Sequence, residues 1–325
     1  SFDIKSIKKH NNTDKDLSDV YITFIRKYFS KKLSNFLPLN ERLNILVDCA
    51  NGAFSEIVDY IFDSQDINII PINIEPDGKN INLNCGATNP KQISDFINFF
   101  NSQKAKSSKN KSEILKIDLG LAIDGDGDRA IFVDNQGNIL DGDEIIFLLA
   151  TNNLKNTRKV VGTLMTNYGI RRAYEDAGIN FIETDVGDIN VANKMREYDC
   201  DFGGESSGHI IFNDFKGFFY GDSMITLINV IELLLRSKKT LFEHYQHVNK
   251  IPSELINIEV NDKSTFLSNE KNKNIVSYIK AQIGTNGRLL VRPSGTENVV
   301  RFLIEHKDIS QIDVLKSYLY DNIEF

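Results

Sequence analysis

Cysteine is scarce in this 325-residue chain: Cys49, Cys85 and Cys200 are the only three, widely spaced and without a CxxC pair. That excludes a disulfide framework and a cysteine zinc site, and it fits a reduced, cytoplasmic protein. An excess of positive charge is also missing. The formal net charge is -7, so the chain has no electrostatic footprint for nucleic acid or for an anionic membrane, and neither partner is expected. Long apolar runs are absent. The longest, residues 224–235, is interrupted by Thr226, Asn229 and Glu232 and falls short of a membrane span. The opening residues, SFDIKSIKKHNNTDKD, contain no apolar stretch of the signal-peptide kind. An anionic small substrate remains open, because a local basic pocket can sit inside an acidic protein.

What is present reads as an ordinary globular chain, 41% hydrophobic and 26% charged, long enough for two or three cores. Residues 14–36 carry apolar side chains at helical spacing: Leu17, Tyr21, Phe24, Tyr28 and Phe29. Short apolar runs at 43–48, 67–74 and 119–123 then read as strands, with a helix at 93–100 and a solvated Lys/Ser-rich loop at 104–113. Strand and helix alternate again: strands at 159–162 and 181–184, helices at 168–177, 188–198 and 222–235. Beyond Pro252 the order changes to strand, helix 272–283, strands 288–292 and 299–305, helix 309–320. The expected fold class is α/β. Two βα-alternating domains with mixed or parallel sheets are followed by a smaller α+β C-terminal domain. The expected segments are a helical stretch at 1–40, then 41–155, 156–249 and 250–325.

Three loops carry chemistry. Asp124-Gly125-Asp126-Gly127-Asp128-Arg129 follows the strand at 119–123. The glycines let the backbone turn so that three carboxylates converge on one hard cation, and three such charges repel without one. A calcium EF-hand loop requires Gly at 129 and Glu at 135, where the chain has Arg129 and Asn135. A phosphatase with Asp124 as nucleophile fits Asp124 and Asp126 but leaves Asp128 and Arg129 idle. Gly203-Gly204-Glu205-Ser206-Ser207-Gly208-His209 is a bent loop in which Glu205 and Ser207 offer groups to vicinal sugar hydroxyls, though a plain glycine-rich hairpin looks the same. Arg292-Pro293-Ser294-Gly295-Thr296-Glu297 lies between two strands. It offers hydroxyls, backbone N–H groups and a guanidinium to a phosphate, with Arg301 a further donor; a type I turn with a solvated Arg292 is the plainer alternative.

Taken in this order over about 170 residues, the three loops resemble those of the phosphohexomutase family. Val47–Ala53, Asn80-Ile81-Asn82, Cys85–Thr88 and Val161–Met165 look like its phosphoglucosamine branch. The resemblance implies Mg²⁺ held by Asp124, Asp126 and Asp128. It implies sugar contacts from Glu205 and Ser207, and a grip on the non-reacting phosphate by Arg292, Ser294, Gly295 and Thr296, with Arg301 beside them. Arg129 and His209 line the site. The implied activity is the interconversion of glucosamine 6-phosphate and glucosamine 1-phosphate through a bisphosphate, with hexose and hexosamine phosphates as ligands. Phosphoglucomutase or phosphomannomutase specificity is the near alternative. Two departures stand out. The family's Thr-Ala-Ser-His-Asn type phosphoserine motif does not occur, so the chain is expected to be inactive alone and to need an N-terminal phosphoserine domain, supplied separately by another chain or by a longer gene product of which this is a part, or else to be a non-catalytic sugar-phosphate-binding fragment or remnant. Asp185 and Ile189 also stand where the family usually has basic residues, which weakens the expected hold on a dianion.

Overall fold

The computed structural model describes residues 14–62, 64–106, 115–152, 158–215, 217–246, 248–295 and 297–324. In chain order the elements are α1 (Asp14–Leu33), β1 (Leu43–Asp48), α2 (Val58–Ile61), β2 (Ile67–Ile72), α3 (Lys91–Lys106), β3 (Leu119–Ile123), β4 (Ala130–Val133), β5 (Ile139–Leu140), α4 (Gly142–Thr151), β6 (Lys159–Thr163), α5 (Tyr168–Asp176), β7 (Asn180–Thr184), α6 (Asp188–Tyr198), β8 (Phe202–Gly204), β9 (Ile210–Phe215), β10 (Phe218–Gly221), α7 (Ser223–Ser237), α8 (Leu241–Tyr245), β11 (Ser253–Glu259), α9 (Lys263–Ser268), α10 (Glu270–Ile283), β12 (Gly287–Pro293), β13 (Val299–His306) and α11 (Ile309–Asn322). They divide into two compact units, Ser1–Leu164 with Ile182–His247, and Met165–Phe181 with Val248–Phe325.

The first unit is built on two five-stranded sheets, ordered β2-β1-β3-β4-β5 and β10-β9-β8-β6-β7. In the first sheet β3 is fully buried, with β1 parallel on one side and β4 antiparallel on the other. A strand covered on both faces reads as the continuous apolar run Leu-Gly-Leu-Ala-Ile rather than as an alternation. Helix α3 seals one face with Ile93 and Ile97 against Leu46, Ala122, Ile131 and Val133. In the second sheet α6 packs Val191 and Met195 against Val161, Ile182 and Ile211. Helix α7 is buried from Ser223 through Leu234, so it is apolar nearly all round.

Polar groups fix the ends of these elements. Asp141 and Glu144 form a capping box at the start of α4. Asp222 caps α7 by accepting from the Ile225 amide. Helix α1 lies on α7 through side-chain bonds from Tyr21 to the cap Asp222 at 3.0 Å and from Lys32 to Asn229 and Glu232 at 3.0 and 2.9 Å, while Tyr28 bonds Asp214 on β9. The helical period read at 14–36 ends at Leu33, and a short 3-10 turn follows to Phe36. The loop expected at 104–113 begins later than its sequence suggests, since α3 runs through Lys106; residues 107–114 lie outside the described residues.

In the second unit, β11 and β12 flank β13 antiparallel, under α10 and α11. Residues 165–181 belong to this unit for a local reason. Glu305 is 1% exposed and its carboxylate is satisfied by Arg288 at 2.6 Å and by the Tyr168 amide at 3.0 Å. A buried charge demands such partners, and they tie the start of α5 to β12 and β13.

Candidate functional site

Ligand sites in open α/β sheets form beyond the carboxyl ends of parallel strands. Here β3 ends at Ile123 and delivers Asp124–Arg129, while its parallel neighbour β1 delivers the loop 49–54 on the same side. The two loops touch through backbone. The Ala53 amide donates to the Gly125 carbonyl at 2.8 Å. A Cβ at Gly52 would lie 2.2 Å from that same carbonyl oxygen, so only glycine fits there. Asp48 anchors the second loop: it is fully buried and its carboxylate accepts from the Ala50 and Gly86 amides at 2.9 and 2.7 Å.

Within loop 124–129 the carboxylates of Asp124, Asp126 and Asp128 come together, with ligand atoms within 4.8 Å of one another. Asp124 is buried, Asp128 half-buried and Asp126 exposed. Burial raises the Asp124 carboxyl above its ordinary range, against the pull of the Arg129 amide, and the adjacent Asp128 adds to the rise. Asp128 Oδ1 is buried without a hydrogen-bond partner. Arg129 Nε stands 3.4 Å from Asp124 and 3.9 Å from Asp128, with its side chain 45% exposed. One half-exposed guanidinium against three carboxylates leaves net negative charge, and hard oxygen donors so arranged fit a divalent cation such as Mg²⁺.

The second loop meets the first along a strand ladder. Residues 205–208 turn between β8 and β9, the Gly208 amide donating to the Glu205 carbonyl. The Ala130 amide donates to the Gly208 carbonyl at 3.0 Å, and Arg129 and His209 form an antiparallel bridge. Gly208 has φ +93° and a Cβ there would sit 2.7 Å from the Ala130 oxygen. His209 is 9% exposed, with Nδ1 3.4 Å from Asp128 Oδ2 and Nε2 against Gly221. Glu205 is half-buried and its carboxylate accepts from the Gly187 amide at 3.0 Å; Ser207 is exposed.

A third wall was not singled out from sequence. The Ser223 amide donates to the Gly127 carbonyl at 3.1 Å. A cavity of about 240 Å³ beside the acidic loop is lined by Tyr21, Phe54, Ile57, Asp126, Asp128 and Asp222, among others. Burial pushes the Asp222 carboxyl up, and burial with the Asp222 charge pushes the Tyr21 hydroxyl far up. Asp222 stands just before an apolar run, the position of an N-cap, and that signal was legible.

The remaining expected residues lie in the second unit. Arg292 on β12 and Arg301 on β13 face each other directly in register. Ser294 is buried and Gly295 exposed, with nothing within 4 Å of where its Cβ would be. Thr296 lies outside the described residues.

A loop of converging carboxylates at a strand end and a bridged hairpin of polar groups in the first unit, and an arginine-paired turn in the second, are carried by a protein of the α/β class. Comparison with known proteins agrees. Three family models match in order: phosphoglucomutase/phosphomannomutase alpha/beta/alpha domain II over residues 19–137, domain III over 141–251, and the C-terminal domain over 255–321. The chain belongs to this phosphohexomutase family. The phosphoglucosamine mutase of Limosilactobacillus reuteri subsp. reuteri (strain JCM 1112) is 39% identical over 289 residues, covering 88% of this chain and 59% of that protein. That of Geobacillus kaustophilus (strain HTA426) is 38% identical, covering 81% and 56%. The chain thus spans less than two thirds of the length of these relatives. Among solved structures, N-acetylglucosamine-phosphate mutase in its substrate complex, a member of the alpha-D-phosphohexomutase superfamily, aligns with a TM-score of 0.74 at 22% identity, covering 96% of this chain and 67% of that one. Aspergillus fumigatus N-acetylphosphoglucosamine mutase in complex with GlcNAc-6P and magnesium aligns at 0.72 and 19%, covering 95% and 70%. At these identities the likeness is one of fold. Among the described residues no helix is long and apolar enough to cross a membrane.

Proposed function

We propose that this chain supplies the metal, sugar and phosphate sites of a phosphoglucosamine mutase, for interconverting glucosamine 6-phosphate and glucosamine 1-phosphate. The observation that carries the reading is the meeting of loops 124–129 and 204–209 on one ladder, with three carboxylates converging beside it. Asp124, Asp126 and Asp128 would hold Mg²⁺, which when bound neutralises charge at a transferring phosphoryl group. Arg129 is exposed enough to turn from the carboxylates to phosphoryl oxygens. His209 Nδ1, 3.4 Å from Asp128 Oδ2, would orient that ligand. Glu205 and Ser207 would take sugar hydroxyls. Arg292, Ser294, Gly295 and Thr296, with Arg301, would hold the phosphate at rest.

The phosphoryl donor in this reading is a phosphoserine on an N-terminal domain supplied by another chain or by a longer gene product of which these residues are a part. Its P–O bond to serine breaks as the free sugar hydroxyl bonds to phosphorus, the hydroxyl proton passing to the freed serine oxygen. The bisphosphate then turns over, and its other phosphoryl group returns to the serine oxygen as its P–O bond to the sugar breaks, the serine proton passing to the freed sugar oxygen. Identities near 38% to phosphoglucosamine mutases favour glucosamine over glucose or mannose phosphates.

The test is turnover of glucosamine 6-phosphate with Mg²⁺ and a sugar bisphosphate primer. The chain alone should give none. Addition of a separately produced phosphoserine domain should restore it, and chelation should abolish it. Binding of the sugar phosphate with no turnover under complementation would overturn the mutase reading. That outcome would leave the non-catalytic binder, the reading favoured by Asp185 and by Ile189, which is 69% exposed where a basic group is expected.

A further inference from the structure

The turn between β12 and β13 is closed on itself. Lys263 Nζ donates to the Ser294 and Glu297 carbonyls at 2.7 and 3.1 Å, and the Glu297 amide donates to Ser294 Oγ at 3.3 Å. The Glu297 carboxylate accepts from Arg301 Nη2 at 2.8 Å. Arg301 is held opposite Arg292 by strand register. Like charges directly across a ladder repel, which favours an anion beside Arg301. The only ion pair that Arg301 makes among the described residues is with Glu297. It is a partial answer: Arg301 Nε is buried and has no hydrogen-bond partner. A guanidinium with one donor bound and another unmet is poised for an oxyanion that takes two donors at once.

We propose that Glu297 is an intramolecular competitor for Arg301: its carboxylate occupies the guanidinium when no ligand is bound, and a phosphoryl group displaces it. This rests on reading residues 292–297 as a phosphate-binding turn. Carboxylate and phosphoryl oxygens present the same acceptor geometry to the fork of an arginine, so they exclude each other there. The exchange is easy because the Glu297 side chain is 59% exposed and enters water when released. It keeps Arg301 paired between ligands and costs affinity when one binds, which favours release of a phosphorylated product.

The experiment measures binding of inorganic phosphate to the whole chain by ³¹P NMR titration, in chelator so that metal recruits none. Glu297→Gln should tighten binding by about two- to tenfold, the scale of a half-exposed ion pair plus lost repulsion of the anion. Arg301→Ala should weaken it. If Glu297 only braces the turn, Glu297→Gln weakens binding instead. With Arg301→Ala still weakening it, unchanged or weaker binding in Glu297→Gln overturns the competitor alone. No effect of Arg301→Ala overturns the phosphate reading of the turn, and the competitor with it.

Discussion

Gly52→Ala tests whether the loop after β1 sets the geometry of the acidic loop after β3. The new Cβ would meet three backbone atoms of Gly125, at 2.2, 2.6 and 2.7 Å. The two backbones must part by about 0.8 Å before the shortest contact reaches the 3.0 Å below which Cβ contacts are essentially never found. That movement breaks the bond from the Ala53 amide to the Gly125 carbonyl and shifts Asp124 and Asp126 on either side of Gly125. Overpacking of this kind costs about 1–3 kcal/mol and the lost hydrogen bond about 1, so roughly 2–4 kcal/mol of stability should go. Disturbing what orients metal ligands costs about 10- to 100-fold in affinity. The assay is urea unfolding together with Mn²⁺ binding followed by electron paramagnetic resonance. Gly78→Ala is the control: its φ is +81° but nothing lies within 4 Å of the added carbon. It should lose only about 1–2 kcal/mol from backbone strain and bind Mn²⁺ as before. A Gly52→Ala protein with unchanged urea midpoint and unchanged Mn²⁺ affinity would refute the reasoning.

Asp126→Asn should weaken Mn²⁺ binding by more than about tenfold, yet leave the metal-free Tm equal or higher, because one of three repelling carboxylates is gone; calorimetry reads both. Ile189→Arg should tighten glucosamine 6-phosphate binding several-fold in a titration at low salt, since Ile189 is 69% exposed and little packing is lost; the cation in the first turn of α6 should lower stability by about 0.3–1 kcal/mol. His244 lies 2.8 Å from Ser237 Oγ, and burial, with Lys239, holds its pKa below 6.5. The unfolded chain therefore binds more protons in that window, so the stability His244 contributes is present above pH 6.5 and is lost as pH falls through the folded value. Hydrogen-exchange protection factors in α8, corrected for the intrinsic pH dependence of exchange, should fall on acidification, and His244→Gln should remove that dependence.

Much of the fold was legible because burial imposes periods on the sequence. The strands at 43–48 and 119–123 are apolar runs that coincide with β1 and β3. Helix α4 was passed over, although Asp141 and Glu144 carry the spacing of a capping box. The acidic loop could be read because its three carboxylates are adjacent in sequence. The supports of that loop could not. The contacts of Ala53 with Gly125, Ala130 with Gly208 and Ser223 with Gly127 join main-chain atoms 72–96 residues apart, and no side-chain pattern records a backbone bond. Glu297 was visible as a residue but not as the partner of Arg301, since the pairing depends on the register of β12 and β13.

The seating of α1 has a consequence in time. Its polar partners Asp214, Asp222, Asn229 and Glu232 stand 186–201 residues further along the chain. A ribosome adding about 5–20 residues per second needs roughly 10–40 s to supply them. Through that interval the face that carries Tyr28, buried in the finished protein, waits for its cover. Helix α1 is thus among the last of the described elements to settle. A nascent chain arrested before residue 214 should present that face to a chaperone, and one carried past residue 237 should withdraw it.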